Sequence, residues 1–510
     1  MFHRELTYGA HSLVIRLKGE PAYSRSDSHF FGFPLYENLG AVDNDTLPDV
    51  IDEIKGYFLY VGIDENRAVV ANDIAGGFRT YTGRVGDTTY LSDDHSFILE
   101  KLRAAAPLEV NEHEYEYWKK HRYTTGGATF IRRCDKLPPA SVLTIAQSGI
   151  TINSYFRDLA ADTDASRHSR LFVDDLSETL RSLDRINHPI VLFMSGGNDS
   201  TLMALMLREL KSDFNPVFVK LNPSYPANES DAFRAKGVAS YLGLTLKEME
   251  VNLADVMSDL ESIASEMLFD RHFSVLHFGA LRQLQREFGR DVIIVNGQSC
   301  DAVLSHGPSA NSKGDFAARV LCHRPMTLWS TLAGAAVNVK HDWKYVVPRT
   351  KREYLLSRLD PFRYYSVLEK HGSDSYRGYL GEITDSLESQ FNHRRALNIY
   401  LSVYSYLQGA DNQVVIRSAR SNGIERVIMP YASPQIIYAT AAHRDSGREI
   451  RHPKYPVTDA LRKMGFNYKA KIIKGDARAA DLDRLVSQVN SEFYRQAARL
   501  TDCSSRRATG

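Results

Sequence analysis

The sequence predicts an α/β protein in two parts. Residues 1–160 form a β-rich domain, and residues 171–510 form a doubly wound parallel sheet with a helical insertion over about 303–390. Three observations lead there. Short apolar and aromatic runs bounded by turn residues crowd the first third of the chain. The apolar run Ile190-Val191-Leu192-Phe193 stops at Ser195-Gly196-Gly197 and passes at once into Leu202, Leu205, Met206 and Leu210 at helical spacing. Strand and helix patterns then alternate, as βαβ units do, which puts any ligand at the C-terminal ends of the strands.

Bulk properties exclude several classes. The chain has 510 residues, enough for two or more domains with a sizeable core. Its net charge of +1, with 25% charged residues, gives no basic surface for nucleic acid and no tail for a membrane. No apolar run reaches the ~18 residues of a membrane span. The N-terminus Met1-Phe2-His3-Arg4-Glu5 lacks a secretory apolar region. Four cysteines, Cys134, Cys300, Cys322 and Cys503, are scattered without a C-x-x-C. That spacing argues against a zinc site, a disulfide framework and a thiol-relay tRNA enzyme, and a reducing cytoplasm is the expected location.

In the first domain, Gly56 to Asp64 reads as strand and turn, and Arg67 to Asp73 as a second strand. A glycine turn at Gly76-Gly77 leads on to Thr82, and Thr88 to Asp93 is a further short strand. Leu137-Pro138-Pro139 turns into a strand through Ile145, and the domain closes near Tyr155-Phe156. The polar stretch Ala160 to Arg170 reads as a linker, and Leu171 to Leu183 as a helix.

The strand–loop–helix unit at 190–207 carries the first chemistry. A glycine loop opening a helix offers unpaired backbone N–H groups and the positive end of the helix dipole, a ready site for phosphate. Ser195, Gly196, Gly197 and Ser200 are the candidate phosphate contacts. Asp199 would repel a bare phosphate, so its natural role is to hold Mg²⁺ against one. Pro216 to Leu221 follows as a strand, Glu229 to Gly243 as a helix and Leu246 to Val251 as a third strand. Asp291 to Ala302 is an apolar strand that ends in the small-residue turn Asn296-Gly297-Gln298-Ser299, with Asp301 beyond it. Two carboxylates at neighbouring strand ends suit a metal bound to a triphosphate.

Ser195-Gly196-Gly197-Asn198-Asp199-Ser200 resembles the PP-loop of enzymes that cleave ATP to AMP and pyrophosphate. Together with the Asn296–Asp301 turn, the chain resembles the asparagine synthetase superfamily, which includes β-lactam synthetases and lasso-peptide cyclases. The N-terminal order is similar to that family's glutaminase-type, Ntn-hydrolase-like domain. Gly56-Tyr57-Phe58, Asp73 to Tyr81, Ser92-Asp93, Pro138-Pro139 and Tyr155-Phe156 stand in its motif places. The family's terminal cysteine is replaced by Phe2, and no N-G-E segment is present. Amide attack needs a thiolate, so the domain is expected to be a degenerate scaffold, inert toward glutamine.

The resemblance implies roles for further residues. Backbone groups at Val217 to Lys220, Val219 among them, would border adenine, with Asn296 and Gly297 across the nucleotide. Asp199 and Asp301 would hold Mg²⁺ on the pyrophosphate. Gln298 stands where the asparagine synthetases carry a substrate-side Glu. Asp411 opens a helix at the active-site end, after a helix at Asn398 to Leu407. Ile424 to Pro434 and the helix Lys454 to Arg462 fit family segments, and a helix and polar tail follow Asp476. In Asn467 to Ile472, Lys471 would stabilise the departing pyrophosphate, with Lys469 the alternative. The insertion, with Trp329, Trp343 and the stretch Arg349 to Tyr365, has a counterpart in lasso-peptide cyclases; its aromatic and basic residues read mostly as core packing and solvated helix faces, with a surface for an unusual acceptor as the alternative.

The function so implied is ATP- and Mg²⁺-dependent amide-bond formation through an adenylate. A small-molecule or peptide carboxylate and an amine or ammonia are the substrates. Two alternatives stand beside an asparagine synthetase-like reaction. One is ring closure to a macrolactam or β-lactam in a natural-product pathway. The other is a catalytically silent homologue serving as a binding subunit. A partner biosynthetic enzyme and a homodimer are compatible with the sequence.

Overall fold

The computed structural model describes residues 1–25, 27–121, 123–125, 127–157, 159, 164–222, 226–270, 277–304, 381–383, 385, 411–443, 454–467 and 480–505. The expected helix at 398–407, nearly all of the insertion, and Lys469 and Lys471 lie outside the described residues.

The N-terminal third packs two sheets face to face. One joins β1 (Phe2–Tyr8), β2 (His11–Leu17), β7 (Tyr81–Val85), β8 (Thr88–Ser92) and β9 (Cys134–Lys136) in the order β1-β2-β8-β7-β9. The other joins β3 (Tyr23–Arg25), β4 (Ser28–Leu35), β5 (Lys55–Ile63), β6 (Arg67–Asn72), β10 (Ser141–Ala146) and β11 (Gly149–Ser154) in the order β11-β10-β6-β5-β4-β3. Alternation in β2 turns Leu13, Ile15 and Leu17 inward, against Phe31, Phe33, Leu59, Val61 and Val70 of the second sheet. The far face of that sheet is covered as well. Phe30, Phe58, Tyr60 and Val69 lie under Val42, Leu47, Ile51 and Ile54. Burial on both faces is why β5 and β6 read as near-continuous apolar runs.

Two expectations need correction. Four strands, β1 to β4, precede the first one read at Gly56, and two helices, α1 (His95–Ala105) and α2 (Glu112–His121), pack among the strands. Of the linker read at Ala160 to Arg170, residues 165–170 are helix. In α3 (Ala165–Asp184), Asp164 caps the N-terminus by accepting from Ser166 N and Arg167 N at 2.9 and 3.2 Å. A cap flanked by polar residues looks like loop in a sequence; His168, Ser169 and Phe172 nevertheless turn inward.

The C-terminal sheet is parallel: β14 (Lys247–Asn252), β13 (Phe214–Asn222), β12 (Ile190–Phe193), β15 (Ile293–Val295) and β16 (Val427–Ile428), in that order. The chain leaves the central β12 toward β13 and β14, then returns to add β15 on the other side. That reversal opens a crevice beyond the C-terminal ends of β12 and β15. The helices of this half include α4 (Asn198–Glu209), α5 (Pro226–Tyr241), α6 (His277–Phe288), α7 (Cys300–Leu304), α8 (Asp411–Ser421) and α9 (Tyr455–Lys463).

The two halves share buried polar contacts. Asp270 lies between Arg79 and Arg417 at 3.3 and 3.4 Å, all three buried. Arg417 also donates to the Tyr81 hydroxyl at 3.2 Å. Arg420 pairs with Asp93 at 2.8 Å and lies over the Phe78 ring. Tyr57 donates to the Glu425 carbonyl at 2.6 Å, and Trp118 to the Leu268 carbonyl at 3.0 Å.

Candidate functional site

The loop after β12 is held by its own hydroxyls. Met194 N donates to the Val217 carbonyl at 2.8 Å, the last ladder bond before the chain leaves the sheet. The Ser200 hydroxyl accepts from Ser195 N at 3.2 Å and donates to the Gly197 carbonyl at 3.2 Å. Gly197 N donates to the Ser195 hydroxyl at 3.3 Å. Gly196 sits at φ +70°, and a Cβ there would lie 2.5 Å from Ala235 N, so both the turn and its closeness to α5 require glycine. Gly197 caps α4 with no side chain, which leaves the first N–H groups of that helix directed at the crevice.

The opposite wall is the turn after β15. Asn296 N donates to the Ile428 carbonyl, and Asn296 Oδ1 accepts from Gln298 N, each at 3.0 Å. A Cβ on Gly297 would come within 3.1 Å of Met203 Cε and 3.6 Å of Ser200 N. The missing side chain keeps space open over the start of α4. Ser299 takes φ +79°, which folds the turn back before α7 begins at Cys300.

Between these walls lies a cleft of about 340 Å³. It brings together Ser195, Asp199, Ser200, Val219, Asn296, Gly297 and Gln298, the core of the residues read from sequence. Gly196 and Gly197 form the loop at its edge. The Gln298 amide oxygen is buried with no hydrogen-bond partner among the described residues. Asp301 is the second residue of α7 and Asp411 the first of α8. Lys471 lies outside the described residues.

Sequence reasoning missed four contributors. Phe193 and His277 line the cleft with their rings 6.2 Å apart. Asn228 clamps the end of β13: its Nδ2 donates to the Val219 carbonyl at 3.2 Å, and its Oδ1 accepts from Leu221 N at 3.1 Å. Lys454 donates from Nζ to Asp199 Oδ2 at 2.6 Å. Lys454 was legible only as the start of a helix, because nothing in its neighbourhood of sequence signals a partner 255 residues away.

The donor set suits a magnesium–phosphate group. Mg²⁺ usually takes one or two carboxylates and completes its shell with phosphate and water. Among the described residues no group of three His, Cys, Asp or Glu side chains forms a metal cage. Asp199 beside an uncapped helix start and an open glycine cradle provides the two halves such a group needs.

Residues 173–408 match the family model described as asparagine synthase. Residues 173–408 form an asparagine synthase domain. The matched stretch includes β12, its loop and the Asn296–Asp301 turn, so the cleft lies inside the asparagine synthase domain. No curated protein matches the chain. Among solved structures, the NH3-dependent NAD synthetase of Campylobacter jejuni is 16% identical, covers 44% of this chain and 95% of its own, and has a TM-score of 0.21. The NMN synthetase of Francisella tularensis is 11% identical over 48% of this chain and 97% of its own, at 0.22. The glutamine-dependent NAD+ synthetase of Acinetobacter baumannii is 12% identical over 76% of this chain and 68% of its own, at 0.21. At such scores these likenesses say nothing about the chemistry of the asparagine synthase domain. No described helix is long and apolar enough to cross a membrane.

Proposed function

We propose that the protein joins a carboxylic acid to a nitrogen nucleophile with cleavage of ATP to AMP and pyrophosphate. The observation that carries this reading is the crevice between β12 and β15. There a glycine loop, a side-chain-free helix start and the Asp199 carboxylate face one cleft. The N–H groups of the loop and the hydroxyls of Ser195 and Ser200 bind the phosphates. Backbone groups near Val219, fixed by Asn228, take the base. Mg²⁺, held by Asp199 and Asp301, would neutralise charge on the β- and γ-phosphates.

In the first step a carboxylate oxygen attacks the α-phosphorus, the bond to the bridging oxygen breaks, and pyrophosphate leaves with the electron pair. Lys471 is assigned to the charge that grows on that leaving group. In the second step the nitrogen attacks the acyl carbon, loses a proton, and AMP departs. Gln298 and Asp411 are assigned to the acceptor side.

Phe2 favours an amine or free ammonia over glutamine as nitrogen source. Its ring is 6% exposed and packs edge-on against Phe31 and His29, at 5.1 and 5.0 Å. Phe2 is therefore a core side chain of β1 and offers no thiolate for attack on an amide. Ring closure within one substrate is the form of the reaction that the amine reading includes.

Release of AMP, measured with ATP, Mg²⁺ and a panel of carboxylic acids and amines, tests the reaction. AMP formation that depends on both a carboxylate and an amine supports it. ATP binding without AMP formation from any pair turns the reading toward a silent binding subunit. Lys471→Met should lower single-turnover AMP formation about 10²–10³-fold, or ~2.7–4 kcal/mol, with nucleotide affinity little changed. Full rate in that variant refutes the role given to Lys471.

A further inference from the structure

The contact between Lys454 and Asp199 is built into the fold. Nζ and Oδ2 are 2.6 Å apart, with the two side chains 19% and 21% exposed. Lys454 has left-handed backbone, φ 59° and ψ 34°. A β-carbon residue adopts that conformation at a cost and keeps it when its surroundings fix it. Here the next residue does the fixing. Tyr455 is buried at the start of α9, with its hydroxyl 3.1 Å from His168 Nδ1 on α3. Val457, two residues on, is fully buried. On the other side the Asp199 backbone is held by the Tyr431 hydroxyl, 2.8 Å from its carbonyl. Both partners are thus delivered to one point by separate elements, and that point lies on the wall of the nucleotide cleft.

We propose that Lys454 is a counter-ion latch: it occupies Asp199 and keeps a divalent cation off that carboxylate until phosphate groups arrive with it. The inference rests on the reading of this cleft as a Mg²⁺–nucleotide site. A divalent ion placed on Asp199 alone would lie a few ångströms from a largely desolvated ammonium, where water screens their repulsion poorly. A triphosphate removes the conflict. Its charge satisfies both cations, the metal between Asp199 and phosphate, and the ammonium on phosphate oxygens. Lysine suits this exchange because its charge sits on a flexible four-carbon stem with three rotatable donors. Metal and nucleotide then bind with positive coupling, and the coupling is reciprocal.

The test uses Mn²⁺ alone, titrated into the full chain without nucleotide and followed by the electron paramagnetic resonance signal of free Mn²⁺. Lys454→Gln should bind Mn²⁺ at least about tenfold more tightly than the wild type. Lys454→Arg, which keeps the charge, should behave as the wild type. Adding Asp199→Asn to Lys454→Gln should abolish the gain. Equal Mn²⁺ affinity in the wild type and Lys454→Gln overturns the latch, as does a gain that survives Asp199→Asn. Should Lys454→Gln fail to fold, the wild type still decides. Its Mn²⁺ affinity should rise at least about tenfold when a non-hydrolysable ATP analogue is bound, and an unchanged affinity overturns the proposal. Failure of the nucleotide reading looks different: the wild type then binds no ATP analogue, with or without metal.

Discussion

The Tyr431 hydroxyl donates to the backbone carbonyl of Asp199 at 2.8 Å. Tyr431 is fully buried and stacks on Phe172 of α3, with ring centroids 5.9 Å apart. Asp199, in the first turn of α4, is therefore anchored by the segment that follows β16. Tyr431→Phe keeps the ring and removes the hydroxyl. It should lower unfolding stability by about 1 kcal/mol in urea, the net worth of one such bond. A loss above ~3 kcal/mol would mean that the hydroxyl supports more than this one carbonyl.

Phe2 gives a prediction of function and one of stability. Purified protein with ATP and Mg²⁺ should release no glutamate from glutamine above a blank without enzyme. Phe2→Ala should cost about 3–5 kcal/mol, as expected of a buried aromatic. Glutamate release by the wild type, or a neutral Phe2→Ala, would remove the ground for treating β1 as scaffold.

Asp270 carries the charge balance at the junction of the two halves. It is fully buried between Arg79 and Arg417. Asp270→Asn leaves two desolvated guanidinium groups facing each other and should destabilise the chain by about 3–5 kcal/mol. Adding Arg417→Met should restore part of that loss, since it removes one of the two unbalanced charges. A denaturant midpoint that falls further in the double variant would contradict this.

Lys136 supplies a pH signature. Burial, and next the Arg79 charge, push its ammonium down from 10.5 to about 7, against the opposing pull of Asp270 and Glu114. Between those two values the unfolded chain holds a proton that the folded chain does not. Stability should therefore rise as pH climbs from about 7 toward 10.5, with no further gain above it. The slope of stability against pH over that window should be flatter in Lys136→Met. Equal slopes would show that Lys136 keeps its proton in the fold.

Sequence reading located the cleft because its signals are local. The loop at Ser195–Ser200, the turn at Asn296–Gln298 and the strand at Val219 each depend on contiguous residues whose backbone chemistry is visible in order. Their meeting followed from the parallel strand–helix alternation. What stayed hidden depends on distant partners. Asn228 reads as an ordinary residue near the start of a helix until its amide is seen against Val219 and Leu221. Lys454 and Tyr431 reach Asp199 across more than two hundred residues. The early strands were obscured for another reason: β4 contains Gly32 at φ +89° and Pro34, both unfavourable in a strand, yet Gly32 is required where its Cβ would strike the Tyr57 carbonyl at 2.6 Å.

We propose that this cleft activates a carboxylate with ATP, with Asp199 as metal ligand. Exchange of labelled pyrophosphate into ATP, dependent on Mg²⁺ and on an added carboxylic acid, measures that step alone. Exchange is expected in the wild type and none above background in Asp199→Ala, with the variant's thermal unfolding retained. Wild-type exchange in Asp199→Ala would contradict it.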